Sequence, residues 1–129
     1  MAAPYTFKRL TDVEDSAVES GFDSVQEARF AKNDLDAVDT GISLHRIKPG
    51  QRQPFAHKHK QAEEVYVVLA GSGRAKLDDD IVELASRDAI RVAPAVVRAF
   101  EADGDGMEIL VVGPRHDGDA ELVQGWWSD

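Results

Sequence analysis

From Val25 to Gly113 the chain breaks into short β-prone segments, and no stretch in that span carries a helical repeat of useful length. The segments are Val25–Lys32, Ile42–Ile47, Phe55–His59, Glu64–Ala70, Arg74–Leu77, Ile81–Leu84, Ala89–Ala93, Val96–Glu101 and Met107–Val112. Turn residues separate them: Asn33-Asp34, Pro49-Gly50, Gly71-Ser72-Gly73, Asp78-Asp79-Asp80 and Asp103-Gly104-Asp105-Gly106. The aspartate run lacks the spaced ligands of a calcium loop and reads as the tip of a hairpin. Gly71–Gly73 is expected to end one strand, and Asp103–Gly106 to turn the last two strands into a hairpin. Strands this short and this closely spaced specify an all-β sandwich or a closed barrel. Strand pattern alone leaves that choice open.

The segment Glu64–Ala70 has two apolar faces. Glu64, Tyr66 and Val68 share one, and Val65, Val67 and Leu69 share the other. A strand with one face in water carries polar residues there. The second face is therefore covered by a terminal segment or by another subunit. The pair Trp126-Trp127 near the C-terminus suits either purpose, and a homodimer is the expected assembly. The acidic stretch Thr11–Ser20 is expected to form a short capped helix or to stay irregular. Three parts follow: an N-terminal extension over 1–24, a barrel over 25–113, and a tail over 114–129 that packs on the barrel or on a partner subunit.

Composition removes several function classes. The net charge is −9, which disfavours nucleic acid and anionic membrane surfaces as partners. No apolar run approaches the ~20 residues of a membrane span. Cysteine is absent, which removes disulfides, thiolate nucleophiles and zinc–sulfur sites. No signal-peptide pattern opens the chain, and the expected location is cytoplasmic. No phosphate-binding loop, dinucleotide fingerprint or serine-hydrolase elbow is present. The expected partner is a small molecule.

The chemistry-bearing pattern is His57-Lys58-His59 followed by Glu64 and then Gly71. Histidines two apart on a strand point to one face. Imidazole nitrogens with a nearby carboxylate suit first-row transition metals such as manganese, iron, nickel or zinc. With Gly50 upstream, the spacing H-x-H-x4-E-x6-G resembles the first signature motif of the cupin superfamily, with one extra residue between Gly50 and His57. The resemblance spans about residues 40–113. It implies a double-stranded β-helix, or jelly-roll, barrel and a divalent metal held by His57, His59 and Glu64. Tyr66 falls on the same face as Glu64 and becomes a candidate substrate-side residue. Related cupins include dioxygenases, decarboxylases and sugar-phosphate isomerases.

The family's second motif resembles G-D-x4-P-x-G-x2-H, often with Phe two residues beyond the histidine. Here Asp88 and Phe100 keep the register, Arg87 and Ala95 replace glycines, and Arg98 stands where the histidine is expected. A guanidinium ~6 Å from a divalent ion repels it by on the order of 5 kcal/mol at an effective dielectric of ~20. Three outcomes are open. Arg98 turns away; an anionic molecule sits between metal and Arg98, which then binds substrate; or the metal is absent and Arg98 pairs with Glu64 in a metal-free binding or structural module.

Overall fold

The computed structural model describes residues 4–127, so residues 1–3 and 128–129 of the two expected terminal segments lie outside the described residues. The described residues form a short 3-10 turn (Leu10–Asp12), one helix, α1 (Ser16–Ser20), and eight strands. These are β1 (Gln26–Phe30), β2 (Thr40–Ile47), β3 (Ala56–His59), β4 (Glu64–Leu77), β5 (Asp80–Ala85), β6 (Ala89–Val92), β7 (Arg98–Pro114) and β8 (Ala120–Val123). All pairings are antiparallel. The order β1-β2-β7-β3-β8 is continuous, and β4 joins β7, β5 and β6. The result is the all-β curled sheet of a jelly roll. No described helix is long and apolar enough to cross a membrane.

Register fixes which side chains face inward. Ala28 pairs with His45, His45 with Ile109, and Ile109 with Val68. One step along, Phe30, Ser43, Val111 and Tyr66 form the next row. Directly paired residues share a face, so both rows line the inner face, with Phe30 48% exposed. Tyr66, Val68, Ile109 and Val111 are buried in one cluster with Ile47, Phe100 and Met107. On the other face of β4, Val65 and Val67 are half-buried and Leu69 is 44% exposed.

Two expected strand ends do not occur. β4 continues through Gly71–Gly73 to Leu77, and β7 continues through Asp103–Gly106. Gly71 faces Met107 and Gly73 faces Ala102, so residues 103–106 bulge out of the ladder. A Cβ on Gly71 would lie 2.0 Å from the Gly106 carbonyl oxygen, and one on Gly73 would lie 2.1 Å from that of Glu101. The close approach of β7 requires both glycines, and Gly71 also holds φ 77° at the bulge, within a continuing strand. The aspartate run does make the expected tight β4–β5 hairpin, with Leu77 opposite Asp80 and Asp78 at φ 51°.

The termini add two features that bear on the site. Asp15 caps α1 by accepting from Ala17 N at 3.0 Å, and the same oxygen accepts from Ala28 N at 2.9 Å, which ties the helix to β1. The tail forms a strand: β8 pairs with β3 from Ala56–Val123 to His59–Ala120. Beyond it, Arg52 lies over the Trp127 ring at 4.4 Å and Lys76 over that of Trp126 at 4.5 Å. The tryptophans thus pack on their own chain.

Candidate metal centre and ligand cavity

β3 is only four residues long, yet both its edges are held, by β8 along its length and by β7 at the His57–Arg98 pair. Its alternation sends His57 and His59 to one face, with ring centroids 5.1 Å apart and nearly perpendicular planes. Glu64 opens β4 and aims its carboxylate between them. Its Oε1 lies 3.3 Å from His57 Nε2 and 3.1 Å from His59 Nε2. One ligand atom from each of the three residues falls within 4.8 Å of the others. The structure brings together the three metal ligands expected from the motif.

Tyr66 donates its hydroxyl to Glu64 Oε1 at 2.6 Å. Burial opposes the Glu64 charge, but the hydrogen bonds of His57 and Tyr66 and the close approach of His59 outweigh it and hold the carboxyl far below the usual carboxylate range. The Tyr66 phenol is pushed well above its ordinary value, first by burial and then by the Glu64 charge. Tyr66 is therefore a fixed donor at neutral pH.

The two faces of the His59 ring are in different situations. Nδ1 lies 3.0 Å from Asp119 Oδ2. Asp119 is 4% exposed and also accepts from Gln61 N at 2.8 Å and Ala62 N at 3.0 Å. Burial works against its charge, yet the two amides and His59 keep its pKa below the ordinary value. Held as an acceptor, Asp119 fixes the neutral ring as its Nδ1–H tautomer and leaves a lone pair on Nε2. Nε2 is buried, near Glu64 Oε1, and out of hydrogen-bonding geometry with any partner among the described residues. A lone pair facing a carboxylate needs a cation between them, either a proton or a metal ion. The close Glu64 carboxylate raises the His59 pKa against burial, which opposes it. A carboxylate, a histidine and a metal-facing Nε2 in this order are the usual outer support of a metal-binding histidine. The donor set fits a first-row divalent ion.

Arg98 is completely buried. It donates to the carbonyls of Pro94 and Ala93, both at 3.3 Å, and its Nη2 lies 3.8 Å from Glu64 Oε1. Its Nε has no hydrogen-bond partner among the described residues. The guanidinium thus stands behind the Glu64 carboxylate, between turning away and pairing fully.

A cavity of about 430 Å³ opens beside the triad. His57, His59, Glu64 and Tyr66 line it, and Phe22 and Phe55 contribute to its largely apolar wall. Arg98 does not line it. His45 does, and the sequence motifs did not single it out. Its Nε2 lies 2.9 Å from Ser43 Oγ, and burial, helped by the neighbouring His57, lowers its pKa to about 4. Strict alternation with Ser43 and Ile47 was the available signal for its inward direction. Asp119 was not singled out either. It follows a loop far from His59 in sequence, and only the β3–β8 pairing joins them.

A family model described as a cupin domain matches residues 43–113, more than half of the chain. The chain is a cupin. Among solved structures, a cupin protein from Bacteroides fragilis is 24% identical, with 91% of this chain and 89% of that one covered at a TM-score of 0.70. The polyketide cyclase RemF from Streptomyces resistomycificus is 20% identical over 100% of this chain and 89% of its own, with a TM-score of 0.75. Oxalate decarboxylase from Bacillus subtilis is 18% identical over 94% of this chain and 32% of its own, with a TM-score of 0.73. At these identities the likeness concerns the fold. No curated protein sequence matches the chain. Within this cupin, Arg98 is the departure at the centre.

Proposed function

We propose that this cupin binds a divalent transition metal, one of manganese, iron, nickel or zinc, through His57, His59 and Glu64, and takes a small molecule into the adjoining cavity. The observation that carries the reading is the His59 ring: Nδ1 is committed to Asp119, and the buried Nε2 is aimed at Glu64 with no partner of its own. When bound, the ion supplies Lewis acidity next to the cavity. The protein's own groups prepare the site. Tyr66 orients Glu64 through its 2.6 Å hydrogen bond, and the phenyl rings of Phe22 and Phe55 give the cavity an apolar wall. Arg98 acts on a bound molecule through Glu64 and its field, since it does not line the cavity. The proposed assembly is a cytoplasmic homodimer formed through the outer face of β4, where Leu69 is 44% exposed.

One observation favours a second reading. The 3.8 Å approach of Arg98 to Glu64 is the start of a buried ion pair that would compete with a metal for the same oxygen. That arrangement belongs to a metal-free binding module. Thermal unfolding separates the two. The metal reading predicts that zinc or manganese raises the midpoint and that a chelator reverses the rise. A rise with carboxylates or sugar phosphates, and none with metals, supports the metal-free reading.

A further inference from the structure

The segment following β7 has more contact with the site than a tail requires. Residues 115–127 run along the cavity mouth, where Arg115, His116 and Leu122 line the wall. They then pair β8 with β3 and end at Trp126 and Trp127 against Lys76, Arg52 and Arg74. Little of this attachment is apolar burial. Ala120 and Glu121 are exposed, Leu122 is 60% exposed, and β8 is the last strand of its sheet path. Besides the β3–β8 edge ladder and the Lys58–Glu121 ion pair, a polar pin holds the segment at each end. At one end Asp119 accepts from His59, Gln61 and Ala62, and its carbonyl accepts from Lys60 N at 3.0 Å. At the other end Arg52 Nη1 donates to the Trp127 carbonyl at 2.7 Å, above the ring that it also covers.

We infer that residues 115–127 are a strap whose docking is coupled to metal occupancy through the Asp119–His59 contact. A segment held by a few polar contacts undocks at lower cost than one held by a core. Undocking removes the partner of His59 Nδ1, frees the ring to rotate Nε2 away from Glu64, and takes away one wall of the cavity. A metal on Nε2 needs the ring in place, so it favours the docked strap. Linkage makes the effect reciprocal: whatever loosens the strap weakens the metal by the same factor. The strap thereby controls both the ligand set and access to the cavity. This inference rests on the metal-site reading above.

The test uses the full chain and zinc. Calorimetric titration compares wild type with Asp119→Ala, which removes the near pin, and Trp127→Ala, which loosens the far one without touching any ligand. Hydrogen exchange of peptides covering 115–127 is followed with and without zinc. Zinc should bind at least tenfold more weakly to Asp119→Ala, in the range of outer-support losses, and about twofold to fivefold more weakly to Trp127→Ala. Saturating zinc should slow exchange of the strap in wild type but not in Glu64→Ala. If Asp119→Ala fails to fold, the Trp127→Ala affinity and the wild-type exchange still decide. Unchanged affinity in the variants, with strap exchange indifferent to zinc, would make the segment a structural cover and overturn the inference while the metal reading stands. A wild type that takes up no zinc at all overturns both.

Discussion

Replacing Arg98 with His should tighten metal binding, and the structure gives the size of the effect. Arg98 Nη2 stands 3.8 Å from Glu64 Oε1, where the gross attraction is about 4 kcal/mol at an effective dielectric of ~20. That attraction holds Glu64 against metal ligation, and the same charge repels a divalent ion by on the order of 5 kcal/mol at ~6 Å. His at this position removes the permanent charge and offers a nitrogen beside His57, its neighbour across the β3–β7 pair. Screening, and the rearrangement needed for a shorter side chain, absorb much of this sum. At least about 1.4 kcal/mol should survive, a tenfold lower Kd. The substitution also leaves the Ala93 and Pro94 carbonyls without their donors, at about 1 kcal/mol each. That cost falls on apo and metal-bound protein alike, so it lowers the melting temperature without masking the affinity. Calorimetric titration with zinc and with manganese at neutral pH measures the change. Equal or weaker binding by Arg98→His would refute the reasoning, because the guanidinium would then not oppose a cation in the site.

Three further outcomes follow from the same structure. The buried His45 ring has a folded pKa of about 4 against an ordinary 6.5, so the folded state resists its protonation. Its contribution is present above pH ~6.5 and is lost as the pH falls toward ~4, by roughly 2–3 kcal/mol. Denaturant unfolding of wild type and His45→Gln across that window should show a flatter acid limb in the variant, and parallel limbs would contradict the assignment. Arg87 occupies the left-handed region at φ 75°, exposed, where the family motif places glycine. Arg87→Gly should stabilise the fold by about 0.5–1 kcal/mol, relief of backbone strain outweighing the added freedom of the unfolded chain; a destabilised variant would show that the Arg87 side chain contributes contacts of its own. Val67→Glu places a charge on the outer face of β4 opposite Leu110, and sedimentation should move from dimer to monomer. A wild type that sediments as a monomer at high concentration removes the dimer.

The parts of the molecule that were legible in the sequence are those encoded over short distances. Alternation in Glu64–Val68 gave the inward face of β4, and H-x-H placed two imidazoles on one side of β3 because a strand has a period of two. The aspartate run closed the expected hairpin for the same local reason. The glycines of β4 misled because glycine serves two ends. Gly71 does sit at positive φ, but inside a strand and not at its end, and both Gly71 and Gly73 are needed for the passage of β7, a contact 28 or more positions away in the chain. Asp119 was illegible because nothing near it signals His59; a pairing across the chain, β8 on β3, creates the contact. Arg98 was identified as the departure from the family pattern, but its direction depended on the carbonyls of Ala93 and Pro94, which no side-chain pattern reports.

The central claim is that His57, His59 and Glu64 form a transition-metal site. Its most direct test is elemental analysis of the untagged protein after incubation with zinc or manganese and removal of free ion, with His59→Ala and Glu64→Ala treated alongside. About one ion per chain in wild type, and essentially none in either variant, is the predicted result. Metal-free wild type, or metal content that survives both substitutions, would contradict it.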